Sequence, residues 1–184
     1  MQTLYTERLI IRQWKINDLD DMYQYCRNPI VGPMAGWKPH QNRQESALIL
    51  DKFIKGNEVW AIQLRSNGRV IGSIGLHKTN RRLEQFKVLE LGYVLGEDYW
   101  GQGLMTEACS EVIKYAFEQE GVDMLVVGHF DFNNRSRRVI EKLGFIYEAH
   151  LRNIYQLKGE MHGESLYSMT REEYNTRKQS NPNM

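Results

Sequence analysis

The chain has 184 residues, with 24 lysines and arginines against 23 aspartates and glutamates, and its formal net charge is +1. This balance excludes a bulk electrostatic attraction to nucleic acid or to an acidic membrane. No apolar run approaches the length of a membrane span, and the N-terminus lacks the basic start and apolar core of a signal peptide. We therefore expect a cytoplasmic protein with neither nucleic acid nor membrane as a partner.

The first part of the chain predicts a strand, two helices and a loop. Glu7 to Trp14 has the pattern of a strand, and Asn17 is the predicted N-cap of the helix that follows it. Prolines and glycines between Ile30 and Asn42 predict a loop. The apolar stripe over Arg43 to Lys55 predicts a second helix, with Gly56 as its C-cap.

A hairpin comes next. Glu58 to Arg65 and Arg69 to His77 have strand patterns, and they flank Ser66-Asn67-Gly68. Asn-Gly favours a tight hairpin turn because both residues tolerate a positive φ. The charged stretch from Thr79 to Phe86 predicts another loop.

The stretch from Tyr99 to Ala108 follows a predicted strand, Val88 to Leu95, and leads directly into an amphipathic helix. Gly101 and Gly103 let the backbone turn tightly with its amide hydrogens pointing the same way. The helix adds four unpaired N–H groups and the positive end of its dipole. The pattern predicts a phosphate or pyrophosphate pocket built from backbone alone.

Two common phosphate loops do not fit this stretch. A Walker-type loop ends in Gly-Lys-Ser/Thr, whereas Leu104 follows Gly103. A dinucleotide fingerprint needs a third glycine where Thr106 stands, and it belongs to the first strand-helix unit of a domain. An ordinary glycine turn ahead of a helix explains the local pattern equally well.

The rest of the chain continues the alternation of helices and strands. Met124 to Phe130 is a predicted strand, and Asn133 or Asn134 caps a helix that ends at Gly144. Two further strands follow, with Lys158-Gly159 at their turn. Cys26 and Cys109 lie far apart and the five histidines show no ligand spacing, so we expect no metal site.

The loop with its flanking residues, Tyr99-Trp100-Gly101-Gln102-Gly103 and Thr106-Glu107-Ala108, resembles the acetyl-coenzyme A (acetyl-CoA) loop of the GNAT N-acetyltransferases, in particular the RimJ/RimL-type branch. Asp98 stands where the superfamily pattern has arginine or glutamine. Further segments resemble this branch in the same order along the chain: Thr6 to Arg12, Trp60 to Ile62, Val70 to Leu76, Glu90 to Leu95, Asn133 to Phe145, Gly159 to Ser168, and Arg171-Glu172-Glu173 as the end of the terminal strand.

The resemblance implies a GNAT fold of the α/β (α+β) class, with a mixed, twisted sheet of about seven strands and about four helices. It implies one domain over residues 1–174, followed by a polar C-terminal tail over residues 175–184. The choice between a monomer and a homodimer is left open.

The activity implied by the resemblance is transfer of the acetyl group of acetyl-CoA to a primary amine. A protein N-terminal α-amine, as in ribosomal-protein acetyltransferases, is the first expectation. A small molecule such as a polyamine, an aminoglycoside or an amino acid derivative is the first alternative. A CoA-binding regulatory module without catalysis is the second alternative.

The resemblance also implies the site. Glu90 is the expected general base, since an alkylammonium with a pKa near 10 must lose a proton at neutral pH. Ser136 is the first candidate acid for the leaving thiolate and Tyr155 the second, although the Ser136 hydroxyl could equally satisfy a backbone N–H. Arg135 replaces the small residue usual at its position. The expected cofactor-binding residues are Tyr93, Val94, Leu95, Trp100, Gly101, Gln102, Gly103, Leu104, Met105, Thr106, Asn133, Ser136 and Arg138.

Overall fold

The computed structural model describes residues 1–80, 82 and 84–180. Over these residues the chain forms an α/β fold with a mixed sheet of eight strands and with six helices. The strands are β1 Leu4–Tyr5, β2 Leu9–Gln13, β3 Val59–Leu64, β4 Val70–Lys78, β5 Val88–Leu95, β6 Met124–Phe130, β7 Ile146–Leu157 and β8 Glu160–Thr170. The helices are α1 Leu19–Cys26, α2 Val31–Met34, α3 Arg43–Gly56, α4 Leu104–Glu118, α5 Asn134–Leu143 and α6 Arg171–Ser180.

The predicted fold class is confirmed, and the structure contains three elements that were not predicted. The two-residue strand β1 and the four-residue helix α2 are too short to show a hydrophobic period. Helix α2 lies inside the segment that was predicted to be a loop throughout. Helix α6 is the third addition.

The chain divides into two compact units, which share strand β5 and helix α4. The first contains Met1–Leu76 and Gly92–Ala108, and the second contains His77–Leu91 and the chain from Cys109 onwards.

In the first unit, β1, β2, β3 and β4 pair in sequence order, each antiparallel to the next. The predicted hairpin between β3 and β4 is confirmed, and Gly68 has a φ of 74° in its turn. The end of β5 lies beside β4, where the Gly96 N–H donates to the Ile71 carbonyl at 2.8 Å.

The core of the first unit lies between its helices and its strands. It consists of buried residues from α1, α2, α3, β3 and β4 together with Trp14, and Val94 and Trp100 pack against it. The apolar faces of these amphipathic elements are therefore removed from water, which is the main source of stability. This packing holds the end of β5 and Trp100, which lies between β5 and α4, against the core.

In the second unit, β6 is the central strand. It pairs in parallel with the start of β5, from Val88↔Met124 to Glu90↔Val126, and antiparallel with β8, which in turn pairs with β7. Helices α4 and α6 meet at Phe117 and Tyr174, whose rings stack with their centroids 4.7 Å apart.

Helix α6 corrects a prediction, because Arg171-Glu172-Glu173 was expected to be strand. Thr170 and Glu173 form a reciprocal cap: the Thr170 N–H donates to the Glu173 carboxylate at 2.7 Å, and the Glu173 N–H donates to the Thr170 hydroxyl at 3.2 Å. The cap starts a helix that runs through most of the predicted polar tail, of which residues 181–184 lie outside the described part.

Two predicted caps are also wrong. Asn17 lies within a 3-10 turn, Ile16–Asp18, and the N-cap position of α1 falls to Asp18, whose buried carboxylate accepts from the Arg12 guanidinium at 2.8 Å. At the end of α3 the left-handed residue is Asn57, with a φ of 53°, and asparagine is the residue that sometimes replaces glycine in this role.

Candidate active site

The segment between β5 and α4 forms a compact loop. A 3-10 turn over Glu97–Tyr99 follows β5, and the Trp100 indole N–H donates to the Leu95 carbonyl at 2.8 Å. Gly101 and Gly103 have φ angles of 75° and 77°. The Glu107 N–H donates to the Gly103 carbonyl at 3.0 Å, so Gly103 is the N-cap of α4.

This geometry turns main-chain donors outward. Gly101, Gln102 and Gly103 are exposed, and both glycines occupy the left-handed region that other residues rarely adopt. Helix geometry leaves the N–H groups of the first turn without a carbonyl four residues before them. These groups and the positive end of the helix dipole favour an anion at this position.

The side chains in the first turn of α4 do not point toward this anion position. Leu104 and Met105 are only 3% and 6% exposed, so they anchor the helix and can offer a ligand only their main chain. Thr106 is half-buried. The loop is therefore suited to bind an anion mainly through backbone groups.

Asp98, which departs from the superfamily pattern, takes part in the loop through its main chain. The Gln102 side-chain amide donates to the Asp98 carbonyl at 2.9 Å, which closes the turn from within. The Asp98 side chain is exposed. The departure thus leaves the backbone path of the loop intact.

A cluster that the sequence did not reveal supports the loop from the N-terminal side. The Glu107 carboxylate accepts from the Thr6 hydroxyl at 2.5 Å, the Arg8 main-chain N–H at 2.9 Å and the Arg8 Nε at 2.6 Å. Burial alone would raise the pKa of Glu107, but the hydrogen bonds from Thr6 and Arg8 outweigh it and the pKa is lowered. These partners lie about a hundred positions apart in sequence, so no local pattern signals them.

The predicted base, Glu90, lies in β5 and is half-buried. In the parallel pair its register partner is Val126. The next residue, Leu91, is only 2% exposed, which holds this part of the strand in place.

The predicted docking segment, Tyr93 to Leu95, forms the end of β5. Tyr93 and Val94 are half-buried, and Val94 packs against the core of the first unit. The Leu95 carbonyl is already bonded to Trp100.

The start of α5 carries Asn133 and Ser136. The Asn133 side-chain oxygen accepts from the Ser136 N–H at 3.1 Å, so Asn133 is the N-cap that the sequence predicted. Ser136 is 8% exposed. Arg138 is exposed, whereas Arg137 is paired with Glu141 at 2.7 Å.

Tyr155 belongs to an aromatic cluster that was not predicted. Its ring stacks on Phe130 with the centroids 4.6 Å apart, and Phe132 contacts His162 edge-on at 4.8 Å. All four side chains are half-buried. The cluster brings the end of β6 together with β7 and β8, which is a long-range arrangement that no sequence period reveals.

Among the described residues, no group of three or more histidine, cysteine, aspartate or glutamate side chains could hold a metal ion. Among the same residues, no helix is long and apolar enough to cross a membrane.

Comparison with known proteins gives a consistent result. The family described as "Acetyltransferase (GNAT) domain" matches residues 8–146. The N-acetyltransferase p20 of Bacillus licheniformis, itself uncharacterized, is 28% identical over 179 residues, which cover 95% of this chain and 99% of that protein.

Two solved structures have a similar fold. A GNAT-family acetyltransferase from Bacillus anthracis has a TM-score of 0.84 at 22% identity, over 93% of this chain and 99% of that one. RimL, a ribosomal L7/L12 α-N-protein acetyltransferase in complex with coenzyme A, has a TM-score of 0.78 at 15% identity, over 92% and 98%. With a family match over most of its length, the chain belongs to the GNAT acetyltransferases and is an acetyl-CoA-dependent N-acetyltransferase.

Proposed function

We propose that this enzyme acetylates a protein N-terminal α-amine, as a member of the RimJ/RimL-type branch. The exposed Gly101-Gln102-Gly103 turn, with two positive φ angles at the start of α4, carries the acetyl-CoA part of the proposal, and the fold shared with RimL, a ribosomal L7/L12 α-N-protein acetyltransferase, supports the acceptor. Such a turn directs several N–H groups toward one anion. The fold shared with RimL, which was solved with coenzyme A, supports the same use of the loop here.

In this proposal the main-chain N–H groups of residues 101–106 hold the pyrophosphate of acetyl-CoA. Trp100 contributes by closing the turn through its bond to Leu95. Arg138 contacts a ribose phosphate, for which its exposed position is suitable. The Asn133 side-chain oxygen caps α5, and its amide group serves the pantetheine arm.

The pantetheine arm lies along Tyr93, Val94 and Leu95 in the manner of an added strand. The parallel pairing of β5 with β6 covers Val88 to Glu90 and so ends before Tyr93. This supports the assignment of the following segment to the pantetheine arm. The Val94 N–H faces the thioester oxygen and stabilises the oxyanion as the carbonyl carbon becomes tetrahedral.

The chemistry is a direct transfer. The neutral amine attacks the thioester carbon, a C–N bond forms, the C–S bond breaks, and the amine gives up one proton while the thiolate gains one. Glu90 accepts the amine proton through a water molecule, which relaxes the distance that the base must reach. Ser136 donates to the thiolate, with Tyr155 as the alternative donor.

The acceptor is tested by measuring thiol release from acetyl-CoA. Peptides with a free N-terminal alanine or serine are compared with polyamines, aminoglycosides and amino acid derivatives, and N-acetylated peptides are the control. We expect the highest kcat/KM with peptides that have a free N-terminus and no turnover with the N-acetylated peptides. Turnover of small amines alone would contradict the proposed acceptor, and tight CoA binding without turnover of any amine would contradict catalysis.

The base is tested with the Glu90→Gln variant, and Glu84→Gln is a matched control because Glu84 is an exposed glutamate in the same unit. We expect Glu90→Gln to lower turnover at neutral pH by roughly tenfold to a thousandfold, within the range of general acid–base catalysis. Turnover should recover in part at high pH, where the amine deprotonates unaided. An unchanged pH profile would remove Glu90 from this role.

A further inference from the structure

We infer that Arg8 is a positioning residue for coenzyme A: it holds the Gln102 carbonyl away from the pyrophosphate and thereby presents the Gly103 N–H to it. This inference rests on the proposed function of the loop. It adds a side chain from the turn before β2, nearly a hundred residues away in sequence, to a site otherwise built from backbone.

The Arg8 guanidinium bridges two parts of the segment between residues 102 and 107. Its Nη1 donates to the Gln102 carbonyl at 3.0 Å, and its Nε donates to the Glu107 carboxylate at 2.6 Å. The Nη2 also lies 2.6 Å from the Glu107 carboxylate. A Cβ built on Gly103 would be 3.6 Å from Nη2, so the guanidinium lies directly beside this glycine.

The contacts of Arg8 fix the direction of the peptide group between Gln102 and Gly103. In a trans peptide the carbonyl and the N–H of the next residue point in opposite directions. Since the Gln102 carbonyl points toward Arg8, the Gly103 N–H points away from it, and the Gly103 backbone is exposed. Arg8 therefore determines which pole of this peptide dipole faces a ligand.

Without Arg8 little would prevent this peptide from turning over. Gly103 has no Cβ to oppose a rotation, and glycine accepts both signs of φ. A turned peptide would present the Gln102 carbonyl oxygen to the pyrophosphate and replace an attraction with a repulsion. The role of Arg8 is thus directional, because Glu107 already balances most of its charge at close range.

The contact between Thr6 and Glu107 allows the directional role of Arg8 to be distinguished from simple stabilisation of the loop. The Thr6 hydroxyl donates to the same carboxylate at 2.5 Å and accepts from the Leu9 N–H at 2.9 Å, so both contacts lie on the Glu107 side of the cluster. Thr6→Val should therefore weaken the attachment of α4 to the β1–β2 turn while leaving the bond from Arg8 to the Gln102 carbonyl in place.

The test compares binding of coenzyme A with binding of pantetheine, which lacks the pyrophosphate, by isothermal titration calorimetry on the full chain. We expect Arg8→Ala to raise the Kd of coenzyme A about tenfold, the effect of one charge-assisted hydrogen bond. The Kd of pantetheine should stay unchanged. Arg8→Lys should recover only part of the loss, because a single ammonium cannot hold Gln102 and Glu107 together.

Two control variants allow the result to be interpreted. Arg43→Ala removes a different arginine–carboxylate pair of the first unit, the exposed Arg43–Asp20 pair, and should leave both Kd values unchanged. Thr6→Val should lower the melting temperature without changing the preference for coenzyme A. Equal losses for both ligands in Arg8→Ala and Arg8→Lys, or no loss for either, would overturn the inference. A wild-type protein that binds both ligands equally would instead overturn the proposed pyrophosphate site itself.

Discussion

Replacing Gly72 with alanine places a methyl group where β4 runs beside the end of β5. A Cβ at this position would overlap the Val94 carbonyl oxygen and lie 3.1 Å from the Leu95 Cα. Both contacts are with backbone, so the strands must move apart to make room. The same displacement strains the nearby hydrogen bond from the Gly96 N–H to the Ile71 carbonyl.

The size of the effect follows from overpacking, which costs about 1–3 kcal/mol. For a chain of this length each kcal/mol lowers the melting temperature by about 2–4 °C, so we expect a loss of roughly 2–12 °C. The displaced segment includes the proposed oxyanion donor, Val94. A misplacement near 1 Å can cost about a hundredfold in rate, so we expect kcat/KM for acetyl-CoA to fall roughly tenfold to a hundredfold.

The measurements are a thermal melt and steady-state kinetics with varied acetyl-CoA. Gly56→Ala is the matched control, because a Cβ at Gly56 meets nothing within 4 Å at the end of helix α3. It should leave the kinetics unchanged and leave the melting temperature equal or slightly higher. If Gly72→Ala keeps the wild-type melting temperature and kcat/KM, the close approach of β4 to Val94 does not support the site.

Three further predictions concern acid stability, thiol reactivity and the catalytic acid. The pKa of Glu107 lies below its ordinary value of 4.5, so its stabilising contribution is complete above that pH and is lost as the pH falls through the folded pKa. Thermal melts from pH 7 to pH 3 should therefore show Glu107→Gln less stable than wild type at neutral pH, with the gap closing in acid; a constant gap would contradict this. Burial raises the pKa of Cys26 to about 12 and also raises that of the fully buried Cys109, so Ellman's reagent should modify neither thiol in the native protein and both in guanidinium. Rapid modification of the native protein would show that one of them is accessible. Ser136→Ala should lower kcat at least tenfold and by more than it weakens CoA binding, as expected for loss of a general acid, while Tyr155→Phe should have little effect. The reverse result would transfer the role to Tyr155.

Elements with a clear local signal were predictable from the sequence. The Asn67-Gly68 turn, the Asn133 cap and the Gly101-Gln102-Gly103 turn each depend on residues that are close together in the chain. In each case a backbone conformation needs a particular residue type, so the residue predicts the conformation. The reciprocal cap of Thr170 and Glu173 was equally local, and it could have corrected the prediction for α6.

The features that were missed depend on contacts between different elements of the fold. Arg12 and Asp18 form a buried ion pair across the 3-10 turn that precedes α1. The attachment of Glu107 to Thr6 and Arg8 spans about a hundred residues and exists only after β2 and α4 have come together. Neither contact has a sequence period, since each depends on how elements pack rather than on how one element repeats.

The most direct measurement follows the main-chain amides of the phosphate loop during a titration. Protein labelled with ¹⁵N is titrated with coenzyme A at neutral pH, and the resonances of Gly103 and of residues 104–106 are monitored by NMR. We expect large, saturable shifts at these amides, and the same amides should respond to inorganic pyrophosphate. Saturable binding of coenzyme A that leaves all of them unmoved would contradict the assignment of the pyrophosphate to this loop.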